Sequence, residues 1–432
     1  MITISTSRHL IYGLLFGVIL SFSTNSFINW WKRKNQDDSK NTPELRTPRD
    51  IRSGDIADGI EGLIGNTPLM RIKSLSDATG CEILGKAEFL NPGGSPKDRA
   101  ALYMINEAES EKLIQPNKGC TIFEGTSGST GISIAMIAKA KGYNAWIIMP
   151  DDQAKEKYQI LEKLGATVEK VKPASIVDRN QFVNLAKRRA EDFGKNEEKN
   201  KSKSKDGDNY EIINERKYSI ENDEATGFFT DQFENLANYL AHYRGTGPEI
   251  YRQTNGKIDA IVTGAGTGGT IAGISRFLKP LIPNLKVILV DPPGSGLYNK
   301  VKHNVMYSPY EAEGTRMRHQ VDTIVEGVGL NRMTENFNMS TGMIDDAIRV
   351  TDEEAVAMAR YLANKEGLFI GSSSAINCVG CVRIARKLGP GHRIVTILCD
   401  SGQRHLTKFW NDEYLKQNNI NPKEEEGLGF IN

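Results

Sequence analysis

Apolar and polar positions along the chain divide it into three kinds of stretch. Leu10 to Ser23 is apolar and uncharged. It is followed by polar Thr24, Asn25 and Ser26, then Phe27, Ile28, Trp30 and Trp31, then the basic run Lys32-Arg33-Lys34. From Gly59 onward, short β-branched runs alternate with helical stretches. Thr121 to Phe123 reads as a strand, followed by a Gly/Ser/Thr turn, a helix over Ile132 to Lys141 and a strand over Ala145 to Met149. The same order recurs with Ala260 to Val262, a glycine-rich turn, a helix ending at Leu278 and a strand over Val287 to Val290. Strand, turn, helix and strand repeated in this way predict an α/β fold with mostly parallel sheets covered by helices on both faces. Residues 195–223 are highly charged and poor in large apolar side chains, so they predict a disordered insertion.

The first stretch predicts a transmembrane or signal anchor over residues 9–31. An uncharged segment of about 20 residues can cross a hydrocarbon core, and paired tryptophans before basic residues suit the interface. The stronger basic flank is C-terminal, so the bulk of the chain is expected to face the cytosol. A cleaved leader is the competing reading, but its basic charge would precede the apolar stretch. Residues 32–56 are polar and contain proline, and read as a linker.

Composition adds exclusions. Lys and Arg number 55 against 54 Asp and Glu, so no global field favours nucleic acid. The five cysteines, Cys81, Cys120, Cys378, Cys381 and Cys399, do not make a disulfide framework and read as reduced thiols. Cys378 and Cys381 form a lone CxxC with no partner pair or nearby His for a metal. Packing of small side chains is the favoured reading there, with redox chemistry as the alternative.

Three short segments carry candidate chemistry. In Asn91 to Arg99, NPGGSPKDR, Ser95 can cap a helix, Pro96 fits its first position and Asp98 can complete a box-like cap. Lys97 then sits in the first turn, where the helix dipole disfavours a cation. That placement suits a lysine that must be neutral to act as a nucleophile. In Glu124 to Gly131, EGTSGSTG, main-chain N–H groups and the hydroxyls of Thr126, Ser127, Ser129 and Thr130 converge at a helix start. A substrate carboxylate fits such a site. In Gly264 to Thr270, GAGTGGT, glycines let backbone N–H groups approach a phosphate. The same loop satisfies GxGxxG, with Asp291 closing the next strand, so on this motif alone a dinucleotide site is an equal alternative.

With IGNTPL (Ile64 to Leu69), DQFENLAN (Asp231 to Asn238), TGPEI (Thr246 to Ile250) and CDSGQRHL (Cys399 to Leu406), these segments stand in an order that resembles the cysteine synthase and cystathionine β-synthase family. Those enzymes depend on pyridoxal 5'-phosphate (PLP). The resemblance covers about residues 57–412 apart from the insertion, and is greatest to membrane-anchored cysteine-synthase-like proteins of fungal mitochondria. It implies PLP fold type II, related to the tryptophan synthase β subunit: two three-layer α/β/α subdomains with the cofactor between them. It also implies a homodimer on the mitochondrial outer membrane, with residues 413–432 left as a C-terminal tail.

By the same resemblance, Lys97 carries the cofactor covalently, and Gly266, Thr267, Gly268, Gly269 and Thr270 hold its phosphate. Ser129 and Ser372 are the remaining cofactor contacts, Ser372 matching the serine bonded to the pyridine nitrogen. Thr126, Ser127, Gly128, Thr130 and Gln232 match the substrate-carboxylate contacts. A neutral hydroxyl at the pyridine nitrogen makes a weaker electron sink than an Asp partner, suited to β-elimination followed by β-addition. The implied reaction makes L-cysteine from an O-acyl-L-serine and sulfide. Alternatives are a cystathionine β-synthase, a sulfide-releasing cysteine lyase, or a tethered PLP-binding protein that has lost activity. The chain ends at residue 432, soon after the last motif, which speaks against the first of these. The chain departs from the family pattern at Ser129 (usually Asn), Gly125 and Leu236 (usually Pro), and over Leu330 to Phe337, LNRMTENF.

Overall fold

Residues 56–193, 211–213, 225–307, 323–423 and 425–431 are described by a computed structural model. Its strands are β1 (Leu69–Arg71), β2 (Glu82–Ala87), β3 (Thr121–Gly125), β4 (Asn144–Pro150), β5 (Thr167–Val171), β6 (Glu211–Ile213), β7 (Gly227–Phe229), β8 (Ala260–Gly264), β9 (Lys286–Asp291), β10 (Asp346–Arg349) and β11 (Arg393–Leu398). They form a six-stranded sheet in the order β1-β2-β11-β8-β9-β10 and a five-stranded sheet in the order β6-β5-β4-β3-β7. Only the outermost pairs, β1 with β2 and β6 with β5, are antiparallel.

Both sheets are covered on both faces, as strands of continuous Ile and Val require. In the six-stranded sheet, Val262, Val290 and Ile394 pack with Val356, Met358, Val379 and Val382 of the helices Asp352–Glu366 and Ser372–Leu388. The alternate residues Ile261, Val287, Leu289 and Val395 pack on the other face with Ile250, Ile271, Ile274 and Leu278. In the five-stranded sheet, Ile122, Ile147 and Val168 meet Ala101, Ile105, Ile134 and Leu161, while Phe123, Ile148 and Val171 meet Leu185, Ala186 and Ala190. The period-2 alternation of strand side chains therefore builds two three-layer lobes.

Three expectations change. Glu211–Ile213, inside the predicted disordered insertion, pairs antiparallel with β5, because two adjacent isoleucines can extend a sheet edge within a charged segment. The rest of that insertion lies outside the described residues. The C-terminal segment is no loose tail: Leu415, Ile420 and Ile431 are buried in the core of the larger lobe, and the Arg386 guanidinium donates to the carbonyls of Leu428 and Ile431. At the Lys97 helix, Lys97–Ser110, Pro96 occupies the cap position, and Ser95 Oγ one residue earlier accepts from Lys97 N at 3.3 Å, as a capping serine does. Asp98 instead accepts from Gly93 N and Ser133 Oγ, so it ties the preceding loop to a neighbouring helix. The predicted anchor, residues 9–31, also lies outside the described residues, among which no helix is long and apolar enough to cross a membrane.

Two buried charge clusters join the lobes. Arg99 donates to Glu88 at 2.8 Å and to Glu249 at 2.6 and 2.7 Å, and Lys86 reaches Glu249 at 2.6 Å. Burial opposes the Glu249 charge, but Arg99 and Lys86 outweigh it and hold the carboxyl well below the usual range. In the second cluster, Lys157 pairs with Glu326, whose carboxylate lies 3.3 Å from His405 Nδ1, and His405 Nε2 lies 3.0 Å from Asp400. Burial works against a His405 cation, yet Asp400 and Glu326 raise its pKa to about 9.

Arg99→Leu leaves Glu88 and Glu249 buried without their shared cation, and its expected cost is about 3–5 kcal/mol in a urea unfolding curve. His405 holds its proton more tightly folded than unfolded. Its contribution is complete below its unfolded value near 6.5 and is lost as pH rises to about 9. Buried Glu124, raised to about 8 by burial despite its hydrogen bonds, adds a separate loss over lower pH. Melting temperatures should therefore fall from pH 6.5 to 9, and His405→Gln should flatten the upper part of that decline. An unchanged slope in the variant would contradict the paired histidine.

Candidate active site

Parallel strands place their C-terminal ends, and the loops that follow, on one side of a sheet. Here β3 leads into Thr126–Gly128, β8 into Ala265–Gly268 and β11 into Cys399–Asp400. These loops and the start of the Lys97 helix line a cleft of about 660 Å³. Lys97, Thr126, Ser127, Ser129, Thr130, Gln232, Gly266, Thr267 and Thr270 all line it. Gly128, Gly268 and Gly269 belong to the loops that line it, and Ser372 is fully buried.

Lys97 Nζ has no hydrogen-bond or ion-pair partner among the described residues. Burial pushes the amine below the ordinary lysine range, against the pull of Cys399 and Asp400. Desolvation is thus the main cause of the downward shift, where the sequence pointed to the helix dipole. Cys399 lines the cleft beside it, and burial pushes that thiol up to about 11, so it stays protonated.

After β8, Gly268 has φ +92°, and a Cβ there would fall 2.5 Å from Phe337 Cα. A Cβ at Gly266 would fall 2.1 Å from the Gly327 carbonyl oxygen. The chain can turn this tightly only with glycine. The turn leaves the N–H groups of Gly266, Thr267 and Gly268 without acceptors among the described residues, at the start of the helix Gly269–Leu278. Three such donors at a helix start fit a phosphate. Behind them, Thr267 Oγ1 accepts from Asn238 Nδ2 at 2.8 Å, and Thr270 Oγ1 lies 3.1 Å from His242 Nε2. Burial, with Arg99 nearby, lowers His242 to about 3, so this support is a neutral imidazole. Sequence reasoning missed His242, since nothing local distinguishes it from any core histidine.

The donor set therefore fits PLP: an unpaired lysine, a phosphate-sized nest of N–H groups, and polar side chains between. One expected contact is displaced. Ser372 is fully buried, and its hydroxyl accepts from Glu326 N at 3.0 Å. Its neighbour Ser373 lines the cleft. Consecutive residues at a helix start point about 100° apart, so a shift of one residue changes which hydroxyl faces the cavity.

At the other end, Thr130 Oγ1 donates to Gln232 Oε1 at 2.5 Å, while Gln232 Nε2 donates to Glu124 at 3.0 Å and to the Gly125 carbonyl at 3.2 Å. Both ends of the Gln232 amide are engaged within the protein. Gly128, at φ +131°, precedes the helix Ser129–Lys141. Gly125 also has a local reason: a Cβ there would lie 2.5 Å from Val183 Cα. The divergent segment Leu330 to Phe337 braces these loops. Thr334 Oγ1 donates to Thr267 O at 2.8 Å, and Asn336 Nδ2 donates to the carbonyls of Gln232, Phe233 and Asn235. The two vicinal cysteines, Cys378 and Cys381, are buried in their helix, and burial raises both thiols.

Comparison with known proteins agrees with this geometry. A family profile described as pyridoxal-phosphate dependent enzyme matches residues 60–400. Cysteine synthase 2 of Schizosaccharomyces pombe is 56% identical over 387 residues, covering 90% of this chain and 92% of that protein. A Saccharomyces cerevisiae protein named as a candidate mitochondrial cysteine synthase is 53% identical, covering 82% of this chain and 84% of its own. A hydrogen sulfide-producing enzyme from Fusobacterium nucleatum superposes with a TM-score of 0.64 at 30% identity, over 82% of this chain and 99% of that one. With a matching profile across most of its length and a lysine in a cleft lined by two glycine-containing strand-to-helix loops, this chain belongs to the pyridoxal-phosphate-dependent enzymes.

Proposed function

We infer that this chain is a PLP-dependent cysteine synthase, which replaces the acyloxy group of an O-acyl-L-serine by sulfide. The observation that carries this is the half-buried, unpaired Lys97 amine in a cleft lined by two glycine-containing strand-to-helix loops. Bound PLP supplies the electron sink that lets the Cα–H bond break. The N–H groups of Gly266 to Gly268, with Thr267 and Thr270, hold its phosphate. Thr126, Ser127, Gly128 and Thr130 take the substrate carboxylate, with Gln232 orienting Thr130 from behind. Ser129 would border the cofactor, and Ser373, which lines the cleft where Ser372 is buried, would offer the hydroxyl for its pyridine nitrogen. Lys97, its pKa lowered by desolvation, takes the Cα proton and returns it after sulfide has added at Cβ. The carboxylate of the acyl group leaves as the C–S bond replaces the C–O bond.

Purified protein supplied with PLP should be yellow and should form cysteine from O-acetyl-L-serine and sulfide. Lys97→Ala should lose both the retained colour after dialysis and the turnover, by about 10³-fold or more. Colourless wild-type protein would overturn the assignment. Sulfide release from cysteine without synthesis would favour the lyase alternative.

Residues 9–31 are proposed as an anchor in the mitochondrial outer membrane, with the catalytic unit facing the cytosol as a homodimer. The apolar run with its Trp30, Trp31 and basic flank supports this, as does the mitochondrial name of the yeast relative. Alkaline carbonate should leave the full chain in the membrane pellet, and deletion of residues 1–34 should release it. Protection from protease in intact mitochondria would reverse the orientation.

A further inference from the structure

We propose that Lys157, which lines the cleft, is a positioning residue for the substrate carboxylate: it fixes the Ser127–Gly128 peptide. This rests on the reading of Thr126 to Thr130 as the carboxylate site. Lys157 stands in the first turn of the helix Lys155–Lys163, where the dipole opposes a cation, and it is only 2% exposed. A lysine in such a place needs compensation, and Glu326 of the other lobe supplies it through a direct ion pair. The stem and the ammonium then act on one loop. A Cβ on Gly128 would lie 2.4 Å from Lys157 Cδ, so the backbone rests directly on the lysine stem. Lys157 Nζ donates to the Ser127 carbonyl at 3.3 Å.

The other face of the same peptide is also held, since Gly128 N donates to Thr126 Oγ1 at 3.1 Å. The peptide plane is thus pinned at both its oxygen and its nitrogen. Its carbonyl oxygen is drawn to the ammonium, and Thr126, already accepting, keeps its hydroxyl proton available to an incoming carboxylate. Glu326 is in turn held by Ser372, which accepts from its N–H, and by His405. The orientation of a loop on the smaller lobe is therefore set by a carboxylate on the larger one.

The test uses the PLP-loaded full chain. Lys157→Met should raise KM for O-acetyl-L-serine by about tenfold or more, with kcat changed by less than about threefold and KM for sulfide unchanged. Calorimetric Kd for L-serine should weaken by a similar factor, with the bound-cofactor absorbance unaltered. Lys157→Arg should recover most of the affinity. Glu326→Gln should reproduce part of the loss, and adding it to Lys157→Met should cost little more, because the two act as one unit. Should Lys157→Met not fold, Glu326→Gln carries the same test, and an unchanged KM in it overturns the proposal. Unchanged KM and Kd in Lys157→Met overturn it directly. Thr130→Val separates the two readings: weakened serine binding there with normal binding in Lys157→Met sinks only the role of Lys157. Normal binding in both variants removes the carboxylate loop as well.

Discussion

Burying the Arg99 guanidinium between Glu88 and Glu249 is the constraint on which the site depends. Arg99 lies two residues after Lys97, on the same first turns of one helix. Glu88 follows β2 of the larger lobe, and Glu249 stands on the helix Gly247–Thr254. Three buried ions satisfy one another only if the helix, the strand end and the second helix meet in a single arrangement. Lys86, also buried and bonded to Glu249, Thr67 O and Gln253, narrows the choice further. Fixing Arg99 fixes the start of the helix, and with it the amine of Lys97. The amine itself is left without a partner, so desolvation lowers its pKa with no ion pair to hold the charge.

The two candidate anion sites follow from backbone sterics rather than from charge. Each forms where a strand of a parallel sheet turns into a helix, and each turn contains a glycine in positive φ, Gly128 in one and Gly268 in the other. The close approach of Phe337 to Gly268 and of Lys157 to Gly128 means that any side chain there would push the loop outward. Uncharged N–H donors suit the phosphate and carboxylate proposed for this cleft, because they need no counter-ion when the ligand leaves.

Neutral hydrogen bonds then keep these loops in register. Asn238 connects Gln232 O to Thr267 Oγ1, Asn336 gathers three carbonyls of the Gln232 segment, and Thr334 reaches Thr267 O. The segment Leu330 to Phe337, which leaves the family pattern, is therefore placed as a brace between the two ends of the cleft. Its divergence bears on how rigidly the loops are held, more than on direct contact with a ligand.

Sequence by itself determined the parallel α/β architecture, because strand–turn–helix order and β-branched runs are local properties that connection rules convert into topology. It also determined the lysine and the two glycine-rich loops, whose chemistry lies in contiguous residues. Only the tertiary structure decided what depends on direction and on distant neighbours. Ser373 faces the cleft and Ser372 does not, since helix rotation separates adjacent side chains and no pattern of three consecutive serines reveals its phase. Asp98 serves Gly93 and Ser133 instead of a cap, because their N–H and O–H lie nearer in space than in any capping geometry. Residues 413–432 read as a tail because they lie past the last family motif, yet Leu415, Ile420 and Ile431 are buried, as three scattered apolar side chains can be once a hydrophobic surface is already in place. His242, Lys157 and Glu326 were invisible in sequence for the same reason: their roles come from partners 28 to 169 positions away, brought together only by packing of the two lobes.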